Sequence, residues 1–200
     1  MHNCNAAKEF NYWQHYYKFA LMEDLQSSTI WMVDPVHTRI RFESKYLLLT
    51  AVSGWFTQFE GSVVAPANDF SGSEIRLMIY ANSIYTGNDE RDNHLKSPDF
   101  FDVRRYPVIG FRSTAVSVQE ASIQVSGQLT IKDVTKSLEF NVHHTGISED
   151  PMGNCKAGFE MDAVFNRKDF NISWNQAIDR FGVMIADEVK LHCDIQLLRL

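Results

Sequence analysis

The sequence predicts an all-β protein, an antiparallel sheet of about eight long strands with one apolar face. Three observations predict it. Apolar and polar residues alternate in segment after segment, these segments extend from Trp31 to the end of the sequence, and none is obviously short or guarded by proline. A large sheet with one apolar face must bury that face, either as a closed barrel or as a sandwich. Strands without protected edges favour closure, so we expect an eight-stranded antiparallel barrel.

The first predicted element is a helix over residues 8–26, which precedes the strands. Apolar side chains recur there at steps of three and four residues and form one stripe: Phe10, Trp13, Tyr17, Ala20, Leu21 and Leu25. We therefore divide the chain into an N-terminal helical extension, residues 1–28, and a barrel domain, residues 29–200. The stripe needs a partner, so we expect it to cover the barrel or to support a homodimer.

From Trp31 onward the hydrophobic period is two, as in strands with one buried face. Two strands are expected over residues 53–60 and 108–118. In the others, the predicted inward residues are Thr38, Ile40, Phe42, Ser44, Tyr46 and Leu48; Ile75, Leu77 and Ile79; Ile123, Val125, Leu129 and Ile131; Leu138, Phe140 and Val142; Phe159, Met161, Ala163 and Phe165; and Val189, Leu191, Cys193, Ile195 and Leu197.

A dense run of turn, helix and aromatic signals occupies residues 83–113. Residues 86–88 form a turn, the charged segment 89–97 forms one short helix, and the aromatic pair at 100–101 precedes a Tyr-Pro step into the next strand. Asn88 or Asp89 is expected to cap this helix, because its side chain can accept from the first free amides. Its charged residues are most simply capping groups and a solvated face. At another strand end, we expect Arg167 to pair with Asp169.

Charge and composition exclude several classes of function. The 19 basic residues face 25 acidic ones, for a formal net charge of −6, and no basic cluster suits nucleic acid. The first residues lack a basic start, an apolar run and a cleavage site, so we expect no export signal and a cytoplasmic location. No run approaches the roughly 18 apolar residues of a membrane helix, so stable membrane insertion is not expected.

The pattern of reactive residues predicts neither a cofactor nor catalysis. The three cysteines lie far apart, and no Cys-x-x-Cys pair suggests a zinc or redox site. No spacing typical of a metal site or of a serine nucleophile elbow is present. We therefore expect no metal, no cofactor and no enzymatic activity.

Ordered motifs along the chain resemble the YceI-like family, lipocalin-like barrels that bind polyisoprenoid lipids. The run over residues 83–113 is similar to the family's signature, and so are residues 31–38, 52–61, 127–136, 166–174 and 186–189. Three positions differ from the usual family pattern. Tyr46 stands where a histidine is common, Tyr85 stands where an aspartate is common, and Asp133 stands where a glycine commonly follows the lysine.

The resemblance implies a lipocalin-like barrel with the short helix at its mouth. Its expected function is to bind, store or transport a long-chain amphiphile, a polyisoprenoid or an isoprenoid quinone, without chemistry. Arg91 or His94 would meet a polar head group. The expected ligand-binding residues are Phe42, Tyr46, Phe56, Phe59, Ile79, Tyr85, Arg91, His94, Leu95, Phe100, Phe101, Phe111, Phe140, Phe159, Phe165, Phe170 and Trp174.

Two other interpretations stay open at this point. The alternating pattern alone fits an ordinary packed core, which would make the protein a structural or interaction module. An enzyme that holds an apolar substrate in the barrel would use Tyr46, Arg91 or His94 as its acid or base.

Overall fold

A computed structural model describes residues 28–66, 69–119, 122–178 and 182–200 of the chain. The predicted helix over residues 8–26 lies outside these ranges. The division of the chain at residues 28 and 29 therefore stays a prediction.

The described residues form thirteen strands, one α-helix and two 3-10 helices. The α-helix is α1 (Asp89–Lys96), and the 3-10 helices are Ala81–Ser83 and Arg167–Phe170. The strands are β1 (Thr29–Val33), β2 (Arg39–Tyr46), β3 (Thr50–Phe56), β4 (Phe59–Ala65), β5 (Glu74–Tyr80), β6 (Ile84–Tyr85), β7 (Val108–Gln119), β8 (Ser122–Ile131), β9 (Val134–Glu149), β10 (Cys155–Asn166), β11 (Ala177–Ile178), β12 (Gly182–Val183) and β13 (Ile185–Arg199).

Eight strands close into an antiparallel ring, in the order β1-β4-β5-β7-β8-β9-β10-β13, and β13 pairs again with β1. The predicted eight-stranded barrel and its short helix are thereby confirmed. Strands β2, β3 and β6 extend the sheet at one end, where β2 lies beside β13, β3 beside β2, and β6 beside β3. Strands β1 and β2 thus act as one interrupted strand along β13.

The alternating side chains face the inside of the barrel as the sequence predicts, except Leu48. The inward position expected for Leu48 is wrong, because β2 ends at Tyr46 and Leu48 lies in the turn before β3, where it is 60% exposed. On β8, Ile123, Val125 and Ile131 are buried, while on β13 the buried residues are Cys193 and Leu197. The buried side chains form two clusters. One surrounds Ile40 and Phe56 at the end that carries α1, and the other contains Trp31 and Phe70.

Asp34 fixes the break between β1 and β2. Its carboxylate accepts hydrogen bonds from the Val36 amide at 3.0 Å, His37 Nδ1 at 2.8 Å and Lys156 Nζ at 2.9 Å. Burial raises the pKa of this carboxyl, but the hydrogen bonds outweigh burial and lower the pKa from 3.8 to about 2. The ionised carboxylate therefore ties the break to β10 through Lys156.

Replacing Asp34 with asparagine is expected to lower the free energy of unfolding at neutral pH by about 1–2 kcal/mol. Because the folded pKa lies below the unfolded value, the carboxylate stabilises the fold above pH 3.8, and this contribution is lost as the pH falls toward 2. Urea unfolding at neutral and acidic pH measures the difference, with Asp169→Asn on an exposed carboxylate as the control. A difference that does not shrink at acidic pH contradicts this role.

Candidate functional site

The barrel encloses a cavity of about 800 Å³, within the size range of ligand pockets. Its walls are the inward faces of the strands and are mainly apolar. Phe42 on β2, Ile79 on β5, Phe111 on β7, Leu129 on β8 and Phe140 on β9 all line it. The alternation therefore builds a hollow interior rather than a completely packed core.

The structure brings all but three of the predicted ligand-binding residues together around this cavity. Those that line it are Phe42, Tyr46, Phe56, Ile79, Arg91, His94, Leu95, Phe100, Phe101, Phe111, Phe140, Phe159, Phe165 and Trp174. Phe59 and Phe170 are buried in the packed core next to it. Tyr85 is exposed because its neighbour Ile84 takes the inward position. The ring of Tyr85 packs against Trp55 on the outside of the barrel, with the ring centroids 5.0 Å apart.

The expected contacts favoured aromatic residues, whereas much of the cavity wall is aliphatic. The lining residues that were not among the expected contacts include Ile40, Leu77, Leu129, Ile131, Leu138, Met161, Leu191 and Ile195. All of them occupy predicted inward positions, so the alternation alone was the signal that identifies them. Cys193 also lines the wall, and burial raises the pKa of its thiol to about 12, so the side chain stays neutral.

Gly54 makes room for one of these wall residues. It lies opposite Phe42 in the β2–β3 pair. A Cβ atom on Gly54 would lie 2.6 Å from Cζ of Phe42 and 2.7 Å from the carbonyl oxygen of Tyr85. The absence of a side chain thus lets the Phe42 ring lie against the sheet at the cavity wall.

Helix α1 covers one end of the cavity, which we call the mouth. Asn88 caps the helix, as predicted, because its side chain accepts from the Arg91 amide at 2.9 Å. The buried carboxylate of Asp92 accepts from the Thr86 amide at 2.9 Å and so holds the helix to the preceding turn. The cap residue Asn88 and the helix residues Glu90, Arg91, His94 and Leu95 line the cavity.

The polar side chains at the mouth are held in place by their neighbours. Arg91 donates from Nε to Thr86 Oγ1 at 2.7 Å and from Nη2 to the Thr86 carbonyl at 2.9 Å. His94 Nε2 lies 2.9 Å from Asp99 Oδ2. The imidazole ring of His94 packs edge-on against Trp174, with the ring centroids 4.5 Å apart. The mouth is therefore polar and ordered, while the interior is apolar.

Arg167 anchors the segment that carries Trp174 to the mouth. Its side chain is only 4% exposed, and Nη1 donates to the carbonyls of Ile172 and Trp174, both at 2.8 Å. Nε donates to the Ala186 carbonyl at 3.0 Å. Burial lowers the pKa of Arg167, and the charge of Asp187 opposes that effect.

The expected pairing of Arg167 with Asp169 is wrong. The carboxylate beside Arg167 belongs to Asp187, with its Oδ1 at 3.4 Å, while Asp169 is exposed. The 3-10 turn points the side chains of Arg167 and Asp169 in different directions. The arginine therefore enters the end of the barrel, and the aspartate faces solvent.

Among the described residues, no three His, Cys, Asp or Glu side chains are grouped in a way that would hold a metal ion. Within residues 28–66, 69–119, 122–178 and 182–200, no helix has both the length and the apolar character to cross a membrane.

A closed antiparallel barrel with an internal apolar cavity and a helix at its mouth defines the structural class of this protein. The chain belongs to the YceI-like domain family, whose sequence profile matches residues 31–197. The resemblance found in the sequence motifs is thereby confirmed. The UPF0312 protein SAB2563 of Staphylococcus aureus is 37% identical over 164 residues, which cover 82% of this chain and 94% of that protein.

Solved structures share the fold at lower sequence identity. BcnA of Burkholderia cenocepacia has a TM-score of 0.69 and 21% identity, covering 82% of this chain and 98% of that one. A polyisoprenoid binding domain from Saccharophagus degradans has a TM-score of 0.64 and 15% identity, covering 85% and 98% of the two chains. At these identities the likeness establishes the fold alone.

Proposed function

We propose that this protein binds a long-chain amphiphile inside the barrel, as a store or carrier, without chemical conversion. The proposed ligand is a polyisoprenoid or an isoprenoid quinone. The observation that carries this proposal is the apolar cavity of about 800 Å³ beneath a polar, ordered mouth. The S. degradans domain described as polyisoprenoid binding supports it, because the two chains share the fold.

The size of the cavity bounds the part of the ligand that it holds. A water molecule occupies about 30 Å³ in the liquid. If a carbon atom with its hydrogens needs the same volume, a cavity of about 800 Å³ holds on the order of 27 carbon atoms, or about five isoprene units. Burial of each five-carbon unit contributes up to roughly 4 kcal/mol, at about 0.8 kcal/mol per methylene. Ordering of the flexible chain offsets part of this energy, yet slow exchange is still expected.

A non-catalytic role agrees with the arrangement of the polar groups. Of the three groups that an enzyme would use, Arg91 donates to Thr86, His94 pairs with Asp99, and Tyr46 is 40% exposed at the edge of the cavity. The wall below them is mainly apolar, and burial keeps the Cys193 thiol protonated. These contacts support binding by shape and by exclusion of water.

Mass spectrometry of the freshly purified full chain tests this proposal, first under native conditions and then after organic extraction. We expect one isoprenoid molecule for each protein molecule, recovered unchanged. A protein that is empty and that also fails to take up an added isoprenoid quinone would refute the proposal. Such a result would favour the structural or interaction module.

A further inference from the structure

The hairpin between β2 and β3 exposes apolar side chains at the cavity mouth. Leu48 is 60% exposed and Leu49 is 76% exposed, and both follow Tyr46, which is 40% exposed and lines the cavity. The Leu47 amide donates to the Met184 carbonyl at 2.8 Å, and Met184 also lines the cavity. We call residues 47–49 the hairpin tip.

The backbone of the tip is unfavourable for the residues that occupy it. Leu47 and Leu48 have φ values of 53° and 58°, and the Leu49 amide donates to the Tyr46 carbonyl at 3.0 Å. A turn with two positive φ values favours asparagine and glycine, and bulky side chains are rare there. The sequence thus places leucine where the fold prefers asparagine and where the Leu48 and Leu49 side chains remain largely in water.

We propose that the hairpin tip docks on the surface of a neutral lipid bilayer. Leu48 and Leu49 enter the boundary between head groups and acyl chains, and Tyr46 lies at the level of the head groups, where tyrosine is favoured. Docking brings the cavity mouth against the bilayer, so that an apolar ligand passes between them without crossing water. The inference rests on the proposed function, since it concerns how that ligand reaches the cavity.

The size and charge of the tip favour a lipid surface over a protein partner. A stable protein interface buries roughly 800 Å² on each side, far more than two leucines and a tyrosine supply. Shallow insertion into a bilayer has no such threshold, because its strength follows the apolar area that is buried. The nearby charges are mixed, with Lys45 on β2 and Glu90 on α1 both exposed, and the chain carries a net charge of −6.

Flotation of the full chain with phosphatidylcholine vesicles tests the proposal. The wild type is expected to float with the vesicles. A Leu48→Asn/Leu49→Ser variant is expected to have an affinity for them that is lower by a factor of roughly ten or more. The variant should melt no lower than the wild type, because asparagine accepts the positive φ of residue 48. The matched control is Val36→Ser/Met152→Ser, which removes side chains that are 70% and 84% exposed and do not line the cavity. It should bind like the wild type.

Several outcomes would overturn docking by the tip. These are vesicle binding that the tip variant retains, wild-type protein that does not float, and binding that requires anionic lipid. A tip variant that changes only its mass in solution would assign the tip to a second copy of the chain. Uptake of an isoprenoid quinone from detergent is measured separately. If the proposed function holds, both variants take up the quinone as the wild type does. A wild-type protein that is purified empty and takes up no quinone refutes that function without reference to the tip.

Discussion

Replacing Ala163 with phenylalanine is expected to weaken ligand binding while the barrel stays folded. Ala163 lies on β10 opposite Leu191, and both residues line the cavity. A phenyl ring at this position occupies space that the ligand chain would fill. Exclusion of as few as two carbon atoms costs about 1.6 kcal/mol, so we expect a loss of affinity of at least roughly tenfold.

The control for this change is Val164→Phe, one residue further along the same strand. Val164 is 58% exposed on the outside of the barrel, so the added ring does not enter the cavity. Native mass spectrometry of the two variants, prepared side by side, measures the ligand carried by each. If the Ala163→Phe protein carries as much ligand and binds added isoprenoid quinone as tightly as the Val164→Phe protein, the ligand does not occupy this part of the barrel.

Replacing Arg167 with methionine is expected to lower the free energy of unfolding by about 3–5 kcal/mol. Methionine keeps an apolar stem but leaves the carbonyls of Ile172, Trp174 and Ala186 without the donors that the guanidinium supplies. Buried carbonyls that lose their donor are costly. The Ile172 and Trp174 carbonyls lose theirs in one segment of the mouth, whereas the Ala186 carbonyl on β13 keeps a hydrogen bond from Ser44 Oγ at 3.3 Å. The cover that Trp174 forms over His94 should therefore loosen as well.

Lys168→Met provides the matched control. Lys168 is the next residue, its side chain is 46% exposed, and it pairs with the same Asp187 at 2.8 Å. Exposed pairs of this kind contribute little, so we expect a change of about 0.5 kcal/mol or less. Urea unfolding monitored by circular dichroism compares the two variants. Equal losses of stability would contradict the anchoring role of Arg167.

The strand pattern could be predicted from the sequence because one buried face imposes a period of two. The single strand expected over residues 53–60 is wrong, because β3 ends at Phe56 and β4 begins at Phe59. There Phe56 and Phe59 are buried, while Trp55 points outward and remains 37% exposed. The break between the two strands resets which positions face inward, and a period-based argument does not locate such a break in advance.

The partner of Arg167 illustrates what local sequence does not reveal. Asp169 is two residues away and is the obvious candidate, yet Asp187 approaches the guanidinium because β10 and β13 pair in the closed barrel. The sequence did not predict the exposure of Leu48 either, because the alternation placed that leucine on the inward face. Both features depend on how distant strands meet and where the chain turns.

Strand β13 forms hydrogen bonds with β10, β2 and β1, so the ring closes through a strand that is synthesised after all the others in it. On the ribosome, β1 and β2 emerge early and remain without this neighbour until β13 has also emerged. Folds that join such distant segments are slow to form, and their unpaired strands are prone to aggregate meanwhile. The cavity does not exist until β13 has paired with its neighbours, so a lipid can enter the finished barrel only after translation has passed Arg199.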